Sequence, residues 1–144
     1  LATESIAGII KISTTAQVSA GTDNTTAVSP AKLREAFANS KATNGYQKLS
    51  NGAIIQWGVI AYTAPGNNPG DITKLNVNFP IAFPTRMSTI TFSGFFDTNG
   101  DDGLECLHSC EVTSKSGITL RVTRITGSAA VGQQGNAYYI AMGY

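Results

Sequence analysis

The chain has 144 residues, of which 42% are apolar and only 13% charged, with a net charge of +1. That length allows one or two small units, and so few charges, with polarity carried by Ser, Thr, Asn and 15 glycines, suit a β-rich extracellular or virion-type protein better than a cytosolic helical enzyme. Scattered Lys and Arg form no patch to grip nucleic-acid phosphates, and no run approaches the ~18 apolar residues of a membrane span, so neither a nucleic-acid partner nor membrane insertion is expected.

The chain starts at Leu1 with no charged region leading into an apolar one, so it reads as the C-terminal piece of something longer. Residues 1–43 form a first unit. Ser5 to Ile12, SIAGIIKI, predicts a short strand. Thr14 and Gln17 have the spacing of a capping box, which opens a short helix that Gly21 stops. Ser29-Pro30 is an N-cap followed by proline at the first helical position, and this second helix is expected to run to Asn39 with Leu33 and Phe37 on one side. Such a segment has too few large apolar side chains to form a core alone. It must self-associate or pack on the rest of its own chain, and the size argument favours self-association.

Residues 44–144 read as all-β. The stretch NGYQKLSNGAIIQWGVIAY holds the only tryptophan, Trp57. Its strand has Ile55, Trp57 and Val59 on one face and Ile54, Gln56, Ile60 and Tyr62 on the other. An ordinary half-exposed strand alternates apolar with polar. Here both faces are largely apolar, so the strand wants cover on both sides, either from two layers of its own fold or from one layer and a neighbouring chain, a first hint of an oligomer. Further strands are predicted at Ile72 to Phe79, Met87 to Phe96, Leu104 to Val112, Ile118 to Thr123 and Ala137 to Tyr144. Pro80 and Pro84 bracket an edge or crossing segment. Six or seven short strands at this spacing suggest an antiparallel β-sandwich.

Several motifs invite a chemical reading and fail on geometry. Cys106, His108 and Cys110 share one strand face, but the outer two lie ~13 Å apart, too far for one ion or for a disulfide between them. A symmetric trimer could gather three copies of His108 around a metal, whereas the plain reading is two small buried cysteines and a hydrogen-bonded histidine, so no metal is expected. Asp97 to Asp101 begins like a calcium loop, but Asp102 replaces the turn glycine and His108 the bidentate glutamate. With one histidine no catalytic triad is visible. Acidic pairs for glycoside hydrolysis, drawn from Asp97, Asp101, Asp102, Glu105 and Glu111, arise too readily by chance to carry weight. No enzyme activity and no cofactor are expected. The loops offer a different chemistry: Tyr62, Asn67 and Asn68, then Asp97, Asn99, Asp101 and Asp102, then Gln133, Gln134 and Asn136 supply an aromatic face, amides and carboxylates that suit sugars. Their plain reading is a solvated loop surface.

Two stretches resemble known sequences. ATESIAGIIKISTTAQVSAGTDNTTAVSPAKLREAF is similar to a short module found near the end of bacteriophage, prophage and tailocin tail fibres. NGYQKLSNGAIIQWG, Asn76 to Pro80 with Phe83-Pro84, and the ending YIAMGY resemble the gp53-like C-terminal fibre-tip family; Met87 to Gly135 is not matched by motif. The resemblance implies a homotrimeric fibre tip, carried in the virion at the distal end of a fibre shaft, that recognises a bacterial receptor such as lipopolysaccharide, another glycan or an outer-membrane protein. On this reading residues 1–43 are the neck, with Leu33 and Phe37 along the threefold axis, and 44–144 the receptor-binding tip, with Ile54 and Ile60 as further interface candidates. The rivals are a fibre-borne polysaccharide depolymerase and a purely structural trimerisation cap.

Overall fold

The structure, a computed structural model, describes residues 8–66, 68–96, 106–125 and 134–144. Helix α1 spans Thr15–Ala20. The Thr14 hydroxyl accepts from the Gln17 N–H at 3.2 Å, and the Gln17 amide oxygen accepts from the Thr14 N–H at 2.9 Å, so the capping box forms as its spacing predicts. Gly21 closes α1 with a φ of 64°, a left-handed conformation that favours glycine. Helix α2 spans Pro30–Ala36, with the Ser29 hydroxyl accepting from the Lys32 N–H.

Helix α2 ends three residues before the expected Asn39. There the chain turns into β1, Asn39–Ser40, which pairs antiparallel with β2, Gly45–Lys48. The Ala38 carbonyl accepts from the Lys48 N–H at 3.2 Å, so the hairpin satisfies backbone groups that another helical turn would have used. This hairpin crosses the 43/44 boundary, and Ala36, Phe37, Leu49, Ile54 and Pro84 share a cavity of about 190 Å³ where the helices abut the sheet. The strand expected over Ser5 to Ile12 is reduced, in its described part, to one parallel bridge from Ile12 to Ala27. Ile9 is 94% exposed, with no described residue covering it.

The remaining strands are β3 (Ile54–Thr63), β4 (Ile72–Asn78), β5 (Met87–Phe96), β6 (Cys106–Ser114), β7 (Gly117–Arg124) and β8 (Gln134–Gly143). They form a five-stranded sheet in the order β1-β2-β3-β8-β5 and a three-stranded sheet in the order β4-β7-β6, every pair antiparallel. The two sheets pack as a β-sandwich, as expected. Its core joins Ile54, Ile60, Tyr62, Ala137 and Tyr139 of the larger sheet to Ile118, Leu120 and Val122 of the smaller, with Phe79 and Phe83 between.

The core corrects the assignment of Ile54 and Ile60 to a subunit interface. They lie on the inward face of β3 with Gln56 and Tyr62, and Ile55, Trp57 and Val59 face outward. Both faces are apolar enough to be covered, so alternation alone could not choose between them. Gln56, fully buried, is tolerated inside because its amide donates to the Ile81 carbonyl at 2.9 Å and accepts the Ile81 N–H at 3.0 Å. That bond pins the Pro80 to Pro84 segment as a crossing between the sheets. No helix among the described residues is long and apolar enough to cross a membrane.

Candidate functional site

Strand register defines two ends of the sandwich. At one end Ile54 and Met87 both pair with Gly143, Asn78 pairs with Gly117, and the helices abut. At the other, Thr63 pairs with Gln134, Phe96 with Gly135, Ile72 with Thr123 and Cys106 with Arg124. The loop from Ala64 to Asp71 therefore lies at the end far from the helices. The residues that flank 97–105 and 126–133 lie there too. Asn67, Asp97, Asn99, Asp101, Asp102 and Gln133 fall outside the described residues, as do the calcium-like turn and Glu105.

Arg124 holds this end together. It follows Ile118, Leu120 and Val122 on the inward phase of β7 and is 1% exposed. Its guanidinium Nη1 donates to the Gly66 carbonyl. Its backbone N–H donates to Asp71 O and its carbonyl accepts from the Gly70 N–H, each at 2.9 Å. The Asp71 carboxylate accepts the Asn68 N–H at 2.9 Å. A buried cation demands such partners, and in meeting that demand Arg124 clamps the loop to β7 and leaves Asn68 exposed on it. Sequence reading passed over Arg124, although its inward phase among apolar residues was the available signal. Asn68, Gln134 and Asn136 retain access to solvent, and the Gln134 amide donates to Thr63 Oγ1 at 3.1 Å.

Tyr62 is not a platform for a sugar. It is 2% exposed, and its hydroxyl lies 3.1 Å from His108 Nε2, with the two rings edge to face at 5.3 Å. Burial pushes the Tyr62 hydroxyl and the Cys106 thiol up and the His108 imidazole down. The alternative of three His108 rings around a threefold axis meets the same objection, because the ring points into its own sandwich and Nε2 is engaged by Tyr62, the hydrogen-bonded histidine of the plain reading. Among the described residues no group of three or more His, Cys, Asp or Glu is placed to hold a metal ion, and both cysteines are free. Glu111 lies on the opposite face of β6, paired with Lys74 at 3.3 Å.

His108 makes stability depend on pH. Its folded pKa lies below the ordinary 6.5 because burial disfavours the imidazolium, so the unfolded chain binds the proton more tightly. The stabilising contribution is complete above 6.5 and is lost as pH falls through the folded value. The urea midpoint should fall between pH 7.5 and 5.5, and His108→Gln should flatten that slope, since this is the only histidine. An equal slope in both proteins would assign the effect elsewhere.

Residues 48–144 match the family model described as "Putative tail fiber protein gp53-like, C-terminal". Uncharacterized protein MJ0347 of Methanocaldococcus jannaschii is 29% identical over 112 residues, covering 76% of this chain and 69% of that protein. The C-terminal part of the R1 pyocin fibre of P. aeruginosa shares the fold, with a TM-score of 0.59 and 22% identity over 82% of this chain; the chain spans 32% of that fragment. A shorter, N-truncated R1-type pyocin tail fibre gives a TM-score of 0.58 at 21% identity, with 98% of it covered.

Proposed function

The chain belongs to the gp53-like C-terminal family of tail fibre proteins, and from that premise we propose that it is the trimeric tip of a phage or pyocin-type fibre, recognising a receptor on the bacterial surface without catalysis. The observation that carries this reading is that the strand ends flanking three inter-strand segments meet at the end of the sandwich far from the helices. Segments that join strands on a rigid β scaffold are where recognition is commonly placed. Asn68, Gln134 and Asn136 offer amides there, and Asn67, Asp97, Asn99, Asp101, Asp102 and Gln133 are proposed to add to them. Amides and carboxylates match vicinal hydroxyls, so a lipopolysaccharide or other surface glycan is the favoured receptor, ahead of an outer-membrane protein.

Residues 1–43 act as the neck, joining the tip 44–144 to a fibre shaft. Ile9, Ile10, Ile12, Val28 and Leu33 are all exposed in the single chain, which supports their burial between copies. Three weak sites on one particle would act with the strength of avidity.

The test is binding of the labelled chain to whole cells from a host panel, with mass measured by light scattering. The expected result is a trimer whose binding disappears on cells with truncated lipopolysaccharide. Leu33→Asp, by placing a charge in the neck contact, should lower the mass and weaken binding together. A trimer that binds no cell would instead favour a structural cap, and a wild-type monomer would overturn the assembly.

A further inference from the structure

The two outer faces of the sandwich differ in kind. The smaller sheet presents the Lys74–Glu111 ion pair and a Thr119–Asn76 hydrogen bond, as a solvated face should. The larger sheet presents no charged side chain on the outward positions of β3, β8 and β5 among the described residues. On it Tyr138, Ile140 and Met142 of β8 stand exposed as a ridge, Ile140 at 56%. Beside the ridge, β5 carries short side chains at two paired outward positions, Thr91 opposite Ile140 and Ser93 opposite Tyr138. The step between them is a cavity of about 150 Å³ lined by those residues with Phe92 and Tyr139. On the far side of the ridge Trp57 lies against Gly45, where a Cβ would meet the indole at 2.7 Å.

We propose that this face is an interface between copies of the chain, in which the β8 ridge of one copy seats on the β5 shelf of the next. The proposal rests on the trimeric reading above and gives it a register. A closed ring of three requires two different, complementary patches on each chain, because its contacts run head to tail. Ridge and shelf are such a pair, and the cavity between them has room for one side chain of aliphatic or ring size. Three ten-residue strands give a flat footprint of about 500 Å². In a ring of three that footprint is divided between two neighbours, so the face supplies part of the ~800 Å² per partner of a stable interface and the exposed neck residues add to it. The same arrangement explains why β3 is apolar on both sides: the inward face meets the smaller sheet and the outward face lies in the assembly.

Ile140→Cys and Thr91→Cys, made in separate chains, mixed and refolded together, test the register. The two positions are neighbours within one chain, so keeping them on separate chains ensures that only a link between copies is read. Mild oxidation should give a disulfide between the two kinds of chain, well above either variant alone; the native Cys106 and Cys110 face inward on the other sheet. A mixture that is trimeric by light scattering yet gives no such link overturns the ridge-on-shelf contact and leaves the trimer standing. A wild-type monomer overturns both. A second measurement needs no variant. Trp57, the only tryptophan, should emit to the blue in the trimer and resist acrylamide, then become severalfold more quenchable on dissociation. Emission that does not change when the trimer dissociates would also overturn the proposal.

Discussion

Phe83→Ala should lower stability by about 3–5 kcal/mol, the usual cost of emptying a fully buried aromatic site. Phe83 is 0% exposed and stacks edge to face on Phe79, with ring centroids 5.3 Å apart. Its ring also packs where a Cβ on Gly143 would come within 2.6 Å, so the last residue of β8 has no side chain with which to fill the vacated space. The Phe83 N–H donates to the Lys115 carbonyl at 2.9 Å, which ties the crossing segment to the turn between β6 and β7. Removing the ring therefore weakens one junction of both sheets. Urea denaturation at fixed protein concentration measures the effect, because association changes apparent stability. Leu107→Ala is the control: Leu107 is exposed on the outer face of the smaller sheet, and its loss should cost no more than ~0.5 kcal/mol. Equal losses in the two variants would mean that Phe83 is not a core anchor.

Gln56→Leu should cost about 2–6 kcal/mol although it places a more apolar side chain in the core. Leucine cannot accept the Ile81 N–H or donate to the Ile81 carbonyl, and each buried backbone group left unpaired costs about 1–3 kcal/mol. Gln56→Glu separates the two bonds. A carboxylate still accepts the Ile81 N–H but has no proton for the carbonyl, and ionising it in this site carries a desolvation cost. Its stability should therefore improve as pH falls and the carboxyl protonates, a trend opposite to the one expected from His108. Gln56→Leu within ~0.5 kcal/mol of wild type would show that water or a rearranged Ile81 satisfies both groups.

The elements of this fold are local and were mostly legible. Thr14 and Gln17 announce α1 because each satisfies the other's backbone donor within one turn. Ser29-Pro30 opens α2, and the strands from β3 to β8 follow the alternation and turn signals read from the chain. The β1–β2 hairpin was missed, since Asn39 to Lys48 lacks a clean alternation and its strands depend on pairing with β3.

What the sequence by itself determined was element type, antiparallel class and the demand that the Trp57 strand be covered on both sides. Tertiary structure alone decided which side meets which cover. A shift of one residue exchanges the two faces of a strand, and only the smaller sheet, closing over Ile54, Ile60 and Tyr62, broke that tie. The contact of Tyr62 with His108, 46 residues away, and the capture of the Gly66 carbonyl by Arg124, 58 residues away, likewise join strands whose adjacency no local pattern encodes. Tyr62, in a stretch that reads as sugar-binding, is drawn inside because its ring gains more from burial in the core than from water, and His108 engages its hydroxyl there.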